Sequence, residues 1–240
     1  TYFDGIYVEQ DYDKGYQIIE DCNLISCFIL RGWAIRWGAG VSGSVSKALD
    51  LLSKVEELEE EPMENSSFWL GFLYYTLSSL YNTDNETYLE DNSFKYAKYV
   101  KKSSEYNFAP SLTQLCSAYL FGKGVKQSDE IAFHYCKKAE EKIDEKRFIY
   151  KSLQDGFIYN LLGVFYTDGR GGVSKNVSKG YEYYVRSCDV SVNKRGAACC
   201  NLSYIYKNNL NNIPEIKKSS SRAKYYFDKS KELGYECLTY

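Results

Sequence analysis

Five short segments of the chain share one pattern: "RGWAI" at 31–35, "LGFLY" at 70–74, "LCSAY" at 115–119, "LGVFY" at 162–166 and "LSYIY" at 202–206. Their last residues, Ile35, Tyr74, Tyr119, Tyr166 and Tyr206, lie 39, 45, 47 and 40 positions apart. This periodicity constrains the fold more than any other feature. Self-similarity at roughly 20–50 residues marks an array of short supersecondary units, each too small to bury its own apolar face and each completed by its neighbours.

The rest of each unit follows the same order. A glycine-bearing loop comes after three of the segments, as "WGAGV" (37–41), "FGKGV" (121–125) and "DGRGGV" (168–173). A second stretch then carries apolar or aromatic residues at i, i+3 and i+4 with lysine and glutamate between them: "SKALDLLSKV" (46–55), "FKYAKYVKKS" (94–103), "EIAFHYCKKAE" (130–140), "SKGYEYYVRSC" (178–188) and "SRAKYYFDKSKEL" (221–233). That spacing belongs to a half-buried helix. Each unit therefore reads as helix A, glycine turn, helix B. Glycine serves such a turn because it takes positive φ without a Cβ clash. The small residue before the aromatic, such as Gly71 or Gly163, admits close approach of helix B. Repeats two and five replace the glycine loop with insertions at 77–93 and 207–221, which read as surface loops.

The predicted organisation is one repeat domain over 1–240: a partial repeat at 1–22, repeats at about 23–61, 62–106, 107–145, 150–191 and 195–233, and the start of a further repeat at 234–240. The fragments at the two ends lead to the expectation of a longer natural protein. Thr1 fits either a processed start or an excised segment, and leaves the compartment open.

Composition narrows the function classes. Of 240 residues, 44% are hydrophobic and 17% aromatic, ample for a continuous core. Thirty basic against 32 acidic residues give a net charge of -2, without the basic footprint of a nucleic-acid binder. The longest uncharged stretch, 65–83, is about half serine, threonine, asparagine and tyrosine, unlike the ~20 predominantly apolar residues of a membrane span.

The motif A-x3-L-G-x2-Y-x2-G-x-G-V, followed by a tyrosine-rich helix, resembles that of the Sel1-like repeats, relatives of the tetratricopeptide repeats. The best matches are "SLTQLCSAYLFGKGVKQSDEIAFHYCKKAEE" and "NLLGVFYTDGRGGVSKNVSKGYEYYVRSC", and the resemblance covers nearly the whole chain. Repeat one departs from the motif at Arg31 and Ile35, and repeats two and five lack the G-x-G-V turn. The resemblance implies an all-α fold, a right-handed α/α superhelix or solenoid of about five helix-turn-helix repeats. It also implies an adaptor whose concave groove holds a protein or peptide. "DGRGGV", which at first suggests a phosphate cradle, becomes the turn of repeat four; a P-loop needs G-x4-G-K-[ST] after a strand.

In related superhelical repeats helix A lines the groove. Counting from the L-G-x2-Y core gives Trp33, Arg36, Trp37, Phe68, Phe72 and Tyr75 as the candidate partner-binding residues, an aromatic and arginine cluster of the kind that dominates binding hot spots. The competing reading is that these aromatics pack between repeats or against the 77–93 insertion. The equivalent positions of repeats four and five are more polar and read as a solvated face.

The cysteines admit two readings. Cys22 and Cys27 flank one junction between a helix B and the next helix A, and Cys188 with Cys199 and Cys200 flanks another. Cys116 and Cys136 fall on helices A and B of repeat three. A cysteine-rich secreted branch of the resembled family staples this junction with disulfides, which implies a secreted, periplasmic or endoplasmic-reticulum lumenal protein. The alternative is buried free thiols acting as small hydrophobes, compatible with a cytoplasmic location.

No catalytic residue, metal site or cofactor is expected. His134, the only histidine, lies on a helix B without a nucleophile or orienting carboxylate in view. The acidic run "VEELEEEPMEN" (55–65) reads as a solvated helix end that could recruit a basic partner, and sequons at Asn65, Asn85, Asn176 and Asn201 matter only in a eukaryotic secretory pathway. The expected function is a non-enzymatic protein–protein adaptor, with the partner and oligomeric state left open. The alternatives are an immunity or inhibitor protein capping a toxin or enzyme and, ranked below it, a weak enzyme acting on cell-wall or β-lactam substrates, an activity the resemblance associates with some cysteine-rich relatives.

Overall fold

The computed structural model describes residues 9–57, 66–81, 90–143, 151–190, 196–208 and 217–237, and every regular element among them is an α-helix. The chain divides into two compact units, Thr1–Lys126 and Gln127–Tyr240. The first holds α1 (Tyr12–Glu20), α2 (Ile25–Trp37), α3 (Val45–Glu57), α4 (Ser66–Tyr81), α5 (Glu90–Glu105) and α6 (Ala109–Phe121). The second holds α7 (Asp129–Ile143), α8 (Lys151–Asp168), α9 (Val177–Val190), α10 (Ala197–Asn208) and α11 (Ser220–Glu232). None of these helices is long and apolar enough to cross a membrane.

Within the first unit α2 packs on α3 and α4 on α5, and further contacts join α1 to α2, α2 to α4, α3 to α4 and α5 to α6. Within the second, α8 packs on α9 and α10 on α11, with α7 against α8 and α9 against α10. Side-chain oxygens start several of the B helices. Asp11 accepts from the Lys14 amide, Ser44 from Lys47, Ser128 from Ile131, Asn176 from Lys179 and Ser219 from Arg222.

The two glycines of each G-x-G turn have different tasks. The first ends helix A: Gly38 and Gly122 are left-handed C-caps at φ 69° and 72°. The second seats the turn on the helix B before it. A Cβ on Gly40 would lie 2.1 Å from the Tyr12 carbonyl oxygen, one on Gly124 1.9 Å from that of Ser93, and one on Gly171 2.8 Å from the Phe133 Cβ. Tyr12, Ser93 and Asp129, whose carbonyl also faces Gly171, stand at equivalent places in the opening turns of α1, α5 and α7. In the second unit Arg170 strengthens this seat with a fork onto Asp129, both N–H···O contacts being 2.9 Å. That hydrogen bond, ahead of the opposing effect of burial, raises the Arg170 pKa above its ordinary value. The arginine of "DGRGGV" is thus committed to a carboxylate of the same unit.

Tyrosine stacking joins helix A to helix B. Tyr166 stacks on Tyr183 at 5.6 Å, and Tyr206 on Tyr226 at 5.7 Å. The cation preceding the small residue of helix B covers the same ring, Lys179 over Tyr166 at 4.2 Å and Arg222 over Tyr206 at 5.4 Å. In repeat two the residues in this arrangement are Tyr81, stacked on Tyr99 at 5.6 Å, and Lys95 at 5.5 Å.

Repeat two is therefore set by Tyr81, one heptad beyond the Tyr74 chosen from the sequence. Hydrogen bonds agree with this register. Ser103 donates to the Gly71 carbonyl as Ser187 does to that of Gly156, both at 2.6 Å, and each glycine precedes its core tyrosine by ten residues. The sequence misleads because α4 contains the pattern twice, as Leu70–Tyr74 and Leu77–Tyr81, seven residues apart and so on nearly one helical face. Gly71 receives the ring of Phe108, whose Cβ would be 2.9 Å from an added methyl. Gly163 faces Tyr184 of its helix B at 2.5 Å, as Gly32 faces Leu52 at 2.4 Å.

The different surroundings of Gly171 and Gly172 predict unequal costs for two adjacent substitutions. Gly171→Ala combines a left-handed φ with a backbone clash, whereas Gly172→Ala, at φ 79°, meets only the Glu130 Cγ at 3.9 Å. Chemical denaturation should show a loss of about 1 kcal/mol for Gly172→Ala and roughly 3 kcal/mol for Gly171→Ala. Equal losses would contradict the assigned role.

Candidate partner-binding site

The end of α2 carries a cation held in place by two neighbours. Arg36 donates from Nη2 to the Ser79 carbonyl oxygen at 3.1 Å, in the last turn of α4 where carbonyls have no intrahelical partner. The positive charge also suits the negative end of that helix. Its guanidinium lies over the Trp37 ring at 4.7 Å. Burial lowers the Arg36 pKa from its ordinary value, although arginine stays charged across the accessible range. Trp37 itself is 56% exposed. Phe121, the last residue of α6, also precedes a left-handed glycine and is 68% exposed.

The other candidates divide by depth. Trp33 and Phe72 are buried, at 9% and 4% exposure, while Phe68 and Tyr75 are half-buried. Phe68 stacks on Phe72 at 6.2 Å and meets Phe108 at 6.0 Å; Tyr75 meets Phe108 at 5.4 Å. Trp69, edge-on to Phe68 at 5.0 Å, and Phe108 complete this cluster, and neither was picked out from the sequence. Trp69 adjoins a chosen residue and could have been found from composition alone. Phe108 could not, because its position depends on Asn107 adopting φ 55° between α5 and α6. His134 is exposed on α7, edge-on to Tyr135. Residues 82–89 of the first insertion, 58–65 of the acidic run with Asn65, Asn85, and 209–216 of the second insertion lie outside the described residues.

Every cysteine is disulfide-bonded. Cys22–Cys27 spans the α1–α2 junction and Cys188–Cys199 the α9–α10 junction, with Cα separations of 5.9 and 5.0 Å. Cys200 bonds Cys237, which was not among the candidate cysteines and ties the segment after α11 back to α10 at 5.6 Å. The even total of eight was the available signal. Cys116 and Cys136 are also in disulfides. Such bonds persist in an oxidising compartment.

Successive B helices are linked by charge. Glu56 on α3 holds Lys102 of α5 at 3.4 Å and accepts from the Tyr99 hydroxyl at 3.1 Å. Glu140 on α7 stands 3.8 Å from Arg186 of α9, and Asp189 of α9 is 3.0 Å from Lys229 of α11. Burial first, then the neighbouring carboxylate, raises the pKa of Tyr99 through Glu56 and of Tyr183 through Glu140. Burial first, with the charge of Asp168, pushes Tyr184 up to about 12 against an opposing influence of the Thr167 side chain.

The family model described as "Sel1 repeat" matches residues 1–18, 109–144, 159–190 and 196–235. No curated protein matches the sequence. Solved structures share the fold, two of which illustrate it. One is a protective antigen present in uropathogenic Escherichia coli strains and displaying an SLR fold, 18% identical with a TM-score of 0.62. The other is a Sel1 repeat protein from Oxalobacter formigenes, 17% identical with a TM-score of 0.64. Each match covers 97% of this chain, which spans 44% of the first protein and 59% of the second.

The raised tyrosine pKa values fix a pH dependence. A phenol that ionises later folded than unfolded gives stability fully present below the unfolded pKa of about 10 and lost as pH climbs towards the folded value. Stability should therefore hold near neutrality and fall between pH ~10 and pH ~12, with Tyr184 alone contributing on the order of 2 kcal/mol by the upper limit. Denaturant melts monitored by circular dichroism at stepped alkaline pH test this. A flat profile would contradict the assigned tyrosine environments.

Proposed function

The chain belongs to the Sel1 repeat family, and on that premise we propose that it is a non-enzymatic adaptor that binds a protein segment along its A helices, with Trp37 and Arg36 as the outer anchor. Repeats of this family mediate protein interactions and are typically scaffolds. The observation that carries the reading is an exposed indole kept in one orientation by a guanidinium that is itself tied to a neighbouring helix end. Such a ring offers large contact area with little conformational entropy left to lose.

Phe68 and Tyr75, half-buried with Trp69, extend the surface along α4, while Trp33 and Phe72 support it from beneath. The bonded cysteines favour a secreted, periplasmic or endoplasmic-reticulum lumenal setting.

Trp37→Ala removes the outer anchor from an exposed site, so its thermal midpoint should stay within a degree or two of wild type. Affinity capture from native extract should then retain a protein with wild type and lose it with Trp37→Ala. Phe72→Ala, by contrast, should cost about 3–5 kcal/mol of stability as a core truncation. Retention of the same proteins by wild type and Trp37→Ala would reject the proposed anchor.

A further inference from the structure

A second surface, independent of the A-helix reading, lies on α5. Phe94, Lys98 and Lys101 follow one another at i, i+4 and i+7 and share a face, with Lys95 beside them. Phe94 is 66% exposed and the three lysines are exposed. Each ammonium is held near a tyrosine ring: Lys95 at 5.5 Å from Tyr81, Lys98 at 5.6 Å from Tyr99 and Lys101 at 5.8 Å from Tyr119. None of the three meets a carboxylate among the described residues.

The flanking helices add no compensating charge, since α4 and α6 contain no aspartate, glutamate, lysine or arginine, and the acids of α5 itself stand at its two ends, Glu90 and Asp91 before the ridge and Glu105 after it. Glu56, the nearby acid on α3, is already engaged by Lys102 and Tyr99. A ring face attracts an ammonium without consuming its three N–H donors as a carboxylate would. The lysines are thus partly ordered and still able to donate.

We propose that this ridge is a docking surface for an acidic polypeptide segment that carries an apolar residue, its carboxylates meeting Lys95, Lys98 and Lys101 and its apolar side chain covering Phe94. The spacing suits such a segment. From Lys95 to Lys101 the helix advances about 9 Å, nearly two turns, over which a facing helix offers acids at i, i+3 or i+4, and i+7. Single-stranded nucleic acid fits less well, because it needs open aromatic faces for its bases and these rings already face ammoniums. Three cations on a chain of net charge -2 also fall short of a duplex-binding footprint.

The test uses a fluorescein-labelled, glutamate-rich helical peptide of about 20 residues bearing one leucine per turn pair, with binding read by anisotropy. The peptide should bind wild type and lose affinity as salt rises. Lys95→Gln/Lys98→Gln/Lys101→Gln should weaken binding roughly tenfold or more, the sum of three modest exposed ion pairs, and its circular dichroism melt should stay cooperative and fall by only a few degrees, the cost of three exposed cation–ring contacts. Phe94→Ser should weaken binding at unchanged salt dependence. Trp37→Ala should bind this peptide as wild type does, which separates failure of this surface from failure of the A-helix site. Unchanged affinity in the triple variant would overturn the proposal. So would equal competition by heparin or duplex DNA with no effect of Phe94→Ser, the behaviour of a general polyanion surface. Salt-sensitive self-association that the triple variant abolishes would reassign the ridge to a second copy of the chain.

Discussion

Stacking of a helix-A tyrosine on a helix-B tyrosine, with a cation over the first ring, is the interaction on which the rest of this protein depends. It occurs as Tyr81 on Tyr99, Tyr166 on Tyr183 and Tyr206 on Tyr226. A tyrosine supplies wide apolar area and a hydroxyl that must find a partner when buried. The partners join one element to the next: Tyr99 donates to Glu56 of the preceding B helix, and the Tyr206 hydroxyl meets those of Tyr181 and the Arg222 guanidinium. One residue type thus fixes both the pairing of helices within a repeat and the register between repeats.

The arrangement also determines which surfaces remain available. The tyrosines, leucines and second glycines use up the faces where helices meet, as Leu77 and Leu115 in the first unit and Leu162 and Leu202 in the second, all fully buried, illustrate. What remains outward is the last residue of some A helices and the outer stripe of the B helices. Trp37 and Phe121 occupy the first kind of position, and Phe94 with its lysines the second. A repeat scaffold can change these outward residues without disturbing the packing, because each repeat contacts only its neighbours. Under the proposed function, binding specificity is a matter for a handful of outward side chains rather than for the fold.

The helical repeat was legible because glycine and tyrosine leave strong marks at fixed offsets. "FGKGV" and "DGRGGV" announced their turns, and the amphipathic B helices announced their buried faces. Register in α4 was not legible, since Leu70–Tyr74 and Leu77–Tyr81 satisfy one pattern and only tertiary contacts to Tyr99 and Ser103 decide between them. The depth of the candidate aromatics was equally hidden. Trp33 and Trp37 differ by one helical turn, yet one is buried and the other exposed, because burial depends on neighbouring helices that a local count does not see. Cys237 was passed over for a related reason: its partner Cys200 lies 37 residues away, beyond any junction spacing. Arg31 shows the opposite case. It departs from the leucine of the motif and is accommodated half-buried, donating to the Glu20 carbonyl at 2.6 Å with its guanidinium over Phe28 at 4.2 Å.

On the proposed function, the exposed end of α2 is where a protein partner makes contact. Site-specific photo-crosslinking addresses it most directly, with a benzophenone side chain placed at position 37 in one protein and at position 225 in another. Tyr225, 58% exposed on α11, controls for exposure alone. The account predicts one discrete cross-linked species in native extract from position 37, competed by unlabelled wild type and absent from position 225. A species formed equally from both positions, or from 225 alone, would contradict it.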